Sequence, residues 1–239
     1  AHAGYAPLRK SFTEFINRKG NVVKQKDDLI ITYGAVEAIF LTASALLAAG
    51  DKVIVEIPSY VNAIKSFKIL GGDVIGVNMD SDGVNLDELE KAMRHGAKLY
   101  YTIPNFGNPS GVTMSYQKRR EVYDLAVKHQ VLILEDNSYG DLRYRNQRIP
   151  NIKEFDTEGV VVYVGSMSKL IAPAMRVGFM AADKEFINRI IPIKAVSTNG
   201  VTSIIQYAIW KMFEENDMYV QIQKICDVYA KKLFLMEES

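Results

Sequence analysis

The amino-acid sequence predicts an α/β fold, in which a mainly parallel sheet of about seven strands lies between layers of helices as an αβα sandwich. Three observations support this prediction. Short apolar runs alternate with stretches of helical periodicity from the start of the chain to Lys184. The apolar runs do not alternate with polar residues, which is typical of strands that helices cover on both faces. After Lys184 the periodicity is helical, which predicts a helical C-terminal part.

Each element follows from its local pattern. A first helix is indicated by helical spacing of Leu8, Phe12, Phe15 and Ile16. The apolar runs predict strands at residues 29–32, 52–56, 73–77, 98–103, 131–135, 160–164 and 177–182. Further helices are predicted at residues 35–48, 62–70, 86–93, 115–129, 186–193, 203–215 and 218–236. The polar segment 145–159 is predicted to be a loop, and the basic run 118–120 a solvated helix face.

Composition limits the possible functions. The 239 residues, 48% hydrophobic and 24% charged, are typical of a globular protein with one large or two small domains. The net charge of +1 gives no reason to expect nucleic acid or a membrane as partner. The single cysteine, Cys226, excludes an intrachain disulfide, favours a reducing, cytoplasmic compartment, and is predicted to be a buried small hydrophobic residue. The three histidines lack metal-ligand spacing, so no metal site is expected.

Residues that carry chemistry follow the predicted strands. Ligands of open α/β sheets bind outside the carboxyl ends of the strands, so the residues at these ends are candidates for a site. Five strand ends together offer glycine, an acid, tyrosines, an asparagine, hydroxyl groups and an amine. The candidates are Gly34, Ala35, Val36, Tyr60, Asn108, Asp136, Tyr139, Ser166, Ser168 and Lys169, with Arg176 shortly after the last of them.

Each candidate has a structural and a functional interpretation. Gly34 before a helix suits a phosphate, although the same pattern occurs in ordinary tight turns. Arg176 could hold the same anion with two hydrogen bonds. Lys169 is either a lysine that reaches solvent at the sheet edge or a partly desolvated amine that attacks a carbonyl. Asp136 is either a helix cap or a carboxylate kept ionised beside a cationic ligand.

Several motifs in order carry a family resemblance: Gly-Ala at 34–35, Pro-Ser-Tyr at 58–60, Asn-Pro-Ser-Gly at 108–111, Glu-Asp-Asn-Ser-Tyr-Gly at 135–140 and Gly-Ser-Met-Ser-Lys at 165–169, followed by Arg176 and Gly178. Here the chain resembles the fold-type I, class I aminotransferases that depend on pyridoxal 5′-phosphate (PLP). It resembles most the subgroup of 2-aminoadipate, kynurenine and aromatic aminotransferases. The resemblance implies the large-domain fold of PLP-dependent transferases.

The resemblance also implies roles around the cofactor ring. Lys169 would form a Schiff base with the PLP aldehyde and, once freed by an amino acid substrate, act as general base. Asp136 would pair with the protonated pyridine nitrogen. Asn108 and Tyr139 would hydrogen-bond the phenolic oxygen of the ring, and Tyr60 would stack on its face. The implied reaction exchanges an amino group between an amino acid and a 2-oxo acid.

The implied phosphate site consists of Ser166, Ser168, Arg176 and the backbone of Ala35 and Val36, beside Gly34. Family members often have Ser, Thr or Gln at positions 35 and 36. Ala35 and Val36 provide backbone donors only, so a somewhat lower phosphate affinity is expected.

The resemblance further implies a homodimer with residues 1–239 as a truncated PLP-binding large domain. Family members continue into a small C-terminal domain, with an arginine for the substrate carboxylate, and that domain is expected to be absent here. A chain of this kind would bind PLP and transaminate poorly or not at all.

Two other functions compete with this one. Some bacterial transcription regulators join an aminotransferase-like domain to a winged-helix module, and this chain could be such an effector domain that senses PLP. Residues 166–169 also fit the Ser-x-x-Lys motif of penicillin-binding proteins, but the companion Lys-Thr-Gly and Ser-Asp-Asn motifs are missing.

Overall fold

A computed structural model describes residues 2–238, so Ala1 and Ser239, which end the predicted domain, lie outside the described residues. The described chain forms a sheet of eight strands. They are β1 (Asp27–Thr32), β2 (Lys52–Ile57), β3 (Asp73–Asp80), β4 (Gly83–Val84), β5 (Ala97–Thr102), β6 (Leu132–Asp136), β7 (Val161–Ser166) and β8 (Gly178–Asp183). Their spatial order is β1-β8-β7-β6-β5-β2-β3-β4.

The sheet confirms the predicted α/β class and its mainly parallel arrangement. Strands β3, β2, β5, β6 and β7 pair in parallel, whereas β8 runs antiparallel to both β7 and β1. Seven strands overlap the predicted ones, and β4 was not predicted. It has two residues, too few for a pattern, and forms by folding back on the end of β3, where Val84 pairs with Met79.

Nine helices lie among the described residues: α1 (Ala6–Asn17), α2 (Gly34–Leu46), α3 (Val61–Ile69), α4 (Leu86–Arg94), α5 (Tyr116–His129), α6 (Ile152–Phe155), α7 (Lys184–Ser197), α8 (Ser203–Glu215) and α9 (Met218–Glu237). The prediction of a loop over 145–159 was therefore wrong in part, because α6 forms there. A four-residue helix shows no periodicity, and α6 is fixed by a distant acid: Glu135 accepts the backbone N–H groups of Ile152 and Lys153.

The predicted solvated face at 118–120 was wrong for Arg119 and in part for Lys118, whose side chain is 12% exposed and pairs with Asp80 and Asp82. Arg119 is completely buried, whereas Arg120 is exposed. The Arg119 guanidinium donates to backbone carbonyls of Met114, Pro104 and Pro150. Arg119 can be buried because the turns around α5 provide several hydrogen-bond acceptors for its guanidinium. The local sequence does not reveal these acceptors. Cys226 is buried as predicted.

Helices cover both faces of the sheet. Leu29 and Ile31 of β1 pack into a core with α1, α8 and α9, while Ile30 between them packs into a second core with α2, α3 and α7. Side chains alternate across a strand, so a strand covered on both faces must be apolar throughout. No helix of residues 2–238 has the length and apolar character to cross a membrane.

Gly178 brings two strand ends together at the edge where the site lies. It pairs with Thr32 at the end of β1 and with Ser166 at the end of β7. A Cβ atom at this position would lie 2.8 Å from the backbone of Gly34. Because β8 starts with a residue that has no side chain, the start of α2 can approach the end of β7.

Candidate active site

A cavity of about 260 Å³ opens at the carboxyl ends of the parallel strands. It brings together ten of the eleven predicted site residues: Ala35, Val36, Tyr60, Asn108, Asp136, Tyr139, Ser166, Ser168, Lys169 and Arg176. Gly34, the eleventh, does not line the cavity but lies beside Arg176, which does. Gly34 has a φ of +72°, and a Cβ there would come within 3.0 Å of an Arg176 nitrogen. A larger residue would therefore displace the arginine.

One end of the cavity is rich in hydrogen-bond donors. Helix α2 begins at Gly34, so Ala35 and Val36 lie in its first turn, where backbone N–H groups have no partner within the helix. Ser168 also lines the cavity, and its Oγ is buried and has no hydrogen-bond partner among the described residues. Arg176 adds a guanidinium, whose Nη2 donates to the carbonyl of Tyr33 at 3.4 Å. This end can hold an anion.

Asp136 lines the same cavity and is 3% exposed. Its carboxylate accepts hydrogen bonds from the backbone N–H and hydroxyl of Ser138, at 3.1 and 2.6 Å. The hydroxyl of Tyr101 donates to its other oxygen at 3.0 Å. Burial raises the pKa of Asp136, and these hydrogen bonds lower it by less. Within residues 2–238 no basic side chain forms an ion pair with it, so the site has room for a cationic ligand atom.

Tyr139 and Asn108 also line the cavity. The Asn108 side-chain amide donates to the Tyr139 hydroxyl at 3.3 Å. Burial raises the pKa of Tyr139, and the charge of Asp136 raises it further, so the phenol stays protonated at neutral pH. Tyr60, which precedes α3, lines the same cavity, and its hydroxyl accepts a hydrogen bond from Asn62 at 3.0 Å.

Lys169 follows β7 in a turn and lines the cavity with its neighbour Ser168. The residue is exposed, so the structure does not show the partly desolvated amine that was one of the two sequence interpretations. Its amine forms no hydrogen bond or ion pair with any other residue that the structure describes. An amine without a partner, beside a cavity with both an anion-binding end and a buried acid, is available to react with a carbonyl compound.

The sequence did not single out four residues of this site. Ile103, Ser138 and Pro173 also line the cavity, and Tyr101 supports Asp136 from the neighbouring strand. Ser138 had a usable signal, since an Asp two residues before a Ser often forms a local turn with it. Tyr101 had none, because only the pairing of β5 with β6 brings it to Asp136.

The profile of the family described as "Aminotransferase class I and II" matches residues 2–232. The chain belongs to this family. Among solved structures of aminotransferases, the kynurenine aminotransferase of Pyrococcus horikoshii superposes with a TM-score of 0.95 at 30% identity, over 99% of this chain and 60% of that one. The α-aminoadipate aminotransferase LysN of Thermus thermophilus, solved with N-(5′-phosphopyridoxyl)-L-leucine, gives 0.91 at 27% identity, over 99% of this chain and 60% of LysN.

Curated relatives fall into two kinds. Aromatic-amino-acid aminotransferase 1 of Thermococcus litoralis is 33% identical over 96% of this chain and 56% of its own length. YisV of Bacillus subtilis, named as an uncharacterized HTH-type transcriptional regulator, is 33% identical over 86% of this chain and 42% of its own length. The chain thus spans about half the length of these relatives.

Proposed function

We propose that this chain is the PLP-binding large domain of an aminotransferase, with Lys169 as the residue that attaches the cofactor. One observation carries the proposal: a single cavity joins the unpartnered amine of Lys169 to an anion-binding end and to the buried carboxylate of Asp136. An aldehyde, a phosphate and a protonated ring nitrogen would find complementary groups at these three points.

The residues present fit PLP chemically. A phosphate would give the buried Ser168 hydroxyl its missing partner and would accept from the amides that begin α2. A cationic ring nitrogen would offset the cost of keeping Asp136 ionised in its buried position, where burial raises its pKa. When bound, PLP withdraws electrons from the α-carbon of an amino acid substrate.

The chain's own groups provide the remaining chemistry. Lys169 would move the proton of the substrate α-carbon, since its amine lies beside the cavity without a competing partner. Tyr139 would hold its proton on the phenol and donate it in a hydrogen bond, oriented by the amide of Asn108. Ser138 and Tyr101 would hold Asp136 in place, since they donate to both of its oxygens.

The substrates would be an amino acid and a 2-oxo acid. A cytoplasmic location and a homodimer belong to the same proposal. The first is supported by the free, buried Cys226 and the second by the family resemblance. Light scattering of the purified chain tests the dimer.

An absorption titration with PLP tests the proposal. The wild type is expected to develop a visible band that Lys169→Ala lacks, because Lys169 provides the amine that would condense with the aldehyde in this cavity. Lys184→Ala is the matched control, since this lysine donates to the backbone of Gln25 away from the cavity. If the band persists in Lys169→Ala as it does in Lys184→Ala, the role of Lys169 is refuted.

The second candidate, an effector domain of a regulator, is kept because YisV matches at 33% identity. Both functions require PLP at Lys169, so the titration does not separate them. A gene that encodes a winged helix upstream of this segment would favour the regulator. Exchange of an isotope-labelled amino group between an amino acid and a 2-oxo acid would favour the enzyme.

A further inference from the structure

A second cavity of about 260 Å³ lies between α1, the loop after β6 and the start of α9. It shares no lining residue with the proposed PLP cavity. Its apolar wall is formed by Phe15 of α1, Tyr163 of β7 and Ile222 of α9. This cavity is not used in the proposed function, and its charges need an explanation.

Cations outnumber acids around this cavity. Lys19, Arg143 and Arg148 line it, against a single lining acid, Asp141. Asp141 lies 3.4 Å from Lys19, and Arg148 forms an ion pair with Glu154. Arg143 has no acid partner among the described residues, so the cavity keeps an unbalanced positive charge.

Arg143 is held in place but incompletely bonded. Its Nη2 donates to the Oδ1 of Asn105 at 3.0 Å, and its guanidinium lies 4.6 Å from the centre of the Phe106 ring. Its Nε is buried and has no hydrogen-bond partner within the described chain. Burial lowers the pKa of Arg143, and the charge of Arg148 lowers it further. A buried N–H of a cation that lacks a partner is costly, and an anionic oxygen would relieve both this and the repulsion from Arg148.

We propose that this cavity binds a small organic carboxylate. The carboxylate would accept from Arg143, and the carbon body would pack on Phe15, Tyr163 and Ile222. A guanidinium recognises carboxylate and phosphate alike. The apolar wall favours a ligand with a hydrocarbon part, so inorganic phosphate is expected to bind more weakly. The proposal does not depend on PLP binding, since the two cavities are separate.

Isothermal titration with benzoate tests this site, with neutral benzamide and inorganic phosphate as comparison ligands at equal ionic strength. Benzoate is expected to bind at least tenfold more tightly than either. Arg143→Gln should weaken benzoate binding at least tenfold. Arg145→Gln is the matched control, because Arg145 lies on the same loop but pairs with Glu237 outside the cavity. This control should bind benzoate within twofold of the wild type.

Two further variants keep the test decisive. Arg143→Lys retains the positive charge without the Nε donor, and should weaken binding severalfold even if the glutamine variant does not fold. Arg176→Gln removes the cation of the other cavity and should leave benzoate binding unchanged. Loss of binding in Arg176→Gln with retention in both Arg143 variants would overturn the proposal, as would equal affinity for benzoate and benzamide.

Discussion

Glu135 and Asp136 are neighbours at the end of β6, and both are buried, with exposures of 0% and 3%. Their side chains point to opposite faces of the sheet, as successive residues of a strand do. Burial raises the pKa of both acids. The two acids nevertheless belong to different regions of the molecule. Comparing them shows how a buried acid that stabilises the fold differs from a buried acid that serves a functional site.

Glu135 lies in a closed polar network. It accepts N–H groups of Ile152 and Lys153 at 2.9 and 2.8 Å, and the positive charge of Arg119 lowers its pKa. The amine of Lys153 is in turn paired with Asp27 and Asp156 at 2.9 and 2.7 Å, in a completely buried cluster. These groups fix α6 and the turns around α5, and they offer a ligand little to bind.

Asp136 lies at an open site. Its cavity contains a buried Ser168 hydroxyl without a partner and a Lys169 amine without a partner in the described chain. The contrast teaches that burial and a raised pKa do not identify a functional acid. A functional acid is identified instead by neighbouring polar groups that lack hydrogen-bond partners, because a ligand can provide these partners.

The largest expected effect tests the closed network. Arg119→Met should lower the free energy of unfolding by about 3 kcal/mol or more, because it leaves several buried carbonyls without donors. The exposed neighbour is the control, and Arg120→Met should cost less than about 1 kcal/mol. Urea unfolding followed by circular dichroism measures both. Equal losses in the two variants would contradict the role given to Arg119.

The second prediction concerns the pH dependence of stability. Burial raises the pKa of Glu135 to about 7 from an ordinary value of 4.5. The folded state therefore holds this proton in a pH range where the unfolded state has lost it, and the contribution to stability declines as pH rises from 4.5 to 7. Glu135→Gln removes this decline. The wild type should lose up to about 3 kcal/mol more than the variant between pH 4.5 and 7.5. Parallel stability curves for the two proteins would show that Glu135 does not titrate in this range.

The third prediction uses the neighbouring acids as a matched pair. Asp136→Asn should weaken PLP binding at least tenfold, because the amide cannot balance a cationic ring nitrogen. Its stability without PLP should change little, since the substitution also removes a buried charge. Glu135→Gln, on the opposite face, should bind PLP within twofold of the wild type. Absorption titrations measure the affinities, and similar losses in both variants would remove the distinction between the two regions.

How much of this could be predicted depended on the length of each pattern. Strand β6 and helix α5 were predicted to within one residue, because a long apolar run and a long periodicity determine them. The two-residue β4 could not be predicted, since tertiary pairing fixes it. The four-residue α6 is too short to show periodicity, although Asn151 and Glu154 form a local capping box at its start. Arg119 was misjudged because its acceptors come from turns around residues 104, 114 and 150.

The open site was easier to predict than the closed network. Its residues lie in short motifs at strand ends, so ten of the eleven candidates line one cavity. The residues that hold these side chains in place could not be identified from the sequence. Tyr101 reaches Asp136 across 35 positions of the chain, and Glu135 reaches α6 across 17. Motifs mark the groups that a ligand touches, whereas the groups that hold them are fixed by strand register.

The smallest expected effect concerns a single hydrogen bond that the Ser168 hydroxyl would make to bound PLP. The hydroxyls of Ser168 and Ser59 are both buried and have no hydrogen-bond partner within residues 2–238, but only Ser168 lines the cavity. Ser168→Ala should reduce PLP affinity about three- to tenfold, which corresponds to a net contribution of about 0.7 to 1.4 kcal/mol from one hydrogen bond. Its stability without PLP should stay within about 0.5 kcal/mol, since no bond is lost in that state. Ser59→Ala should leave both quantities unchanged. If Ser168→Ala binds PLP as tightly as Ser59→Ala does, a buried hydroxyl without a hydrogen-bond partner does not indicate a ligand site in this protein. The distinction between the open and closed regions would then rest on Lys169 and Asp136 alone.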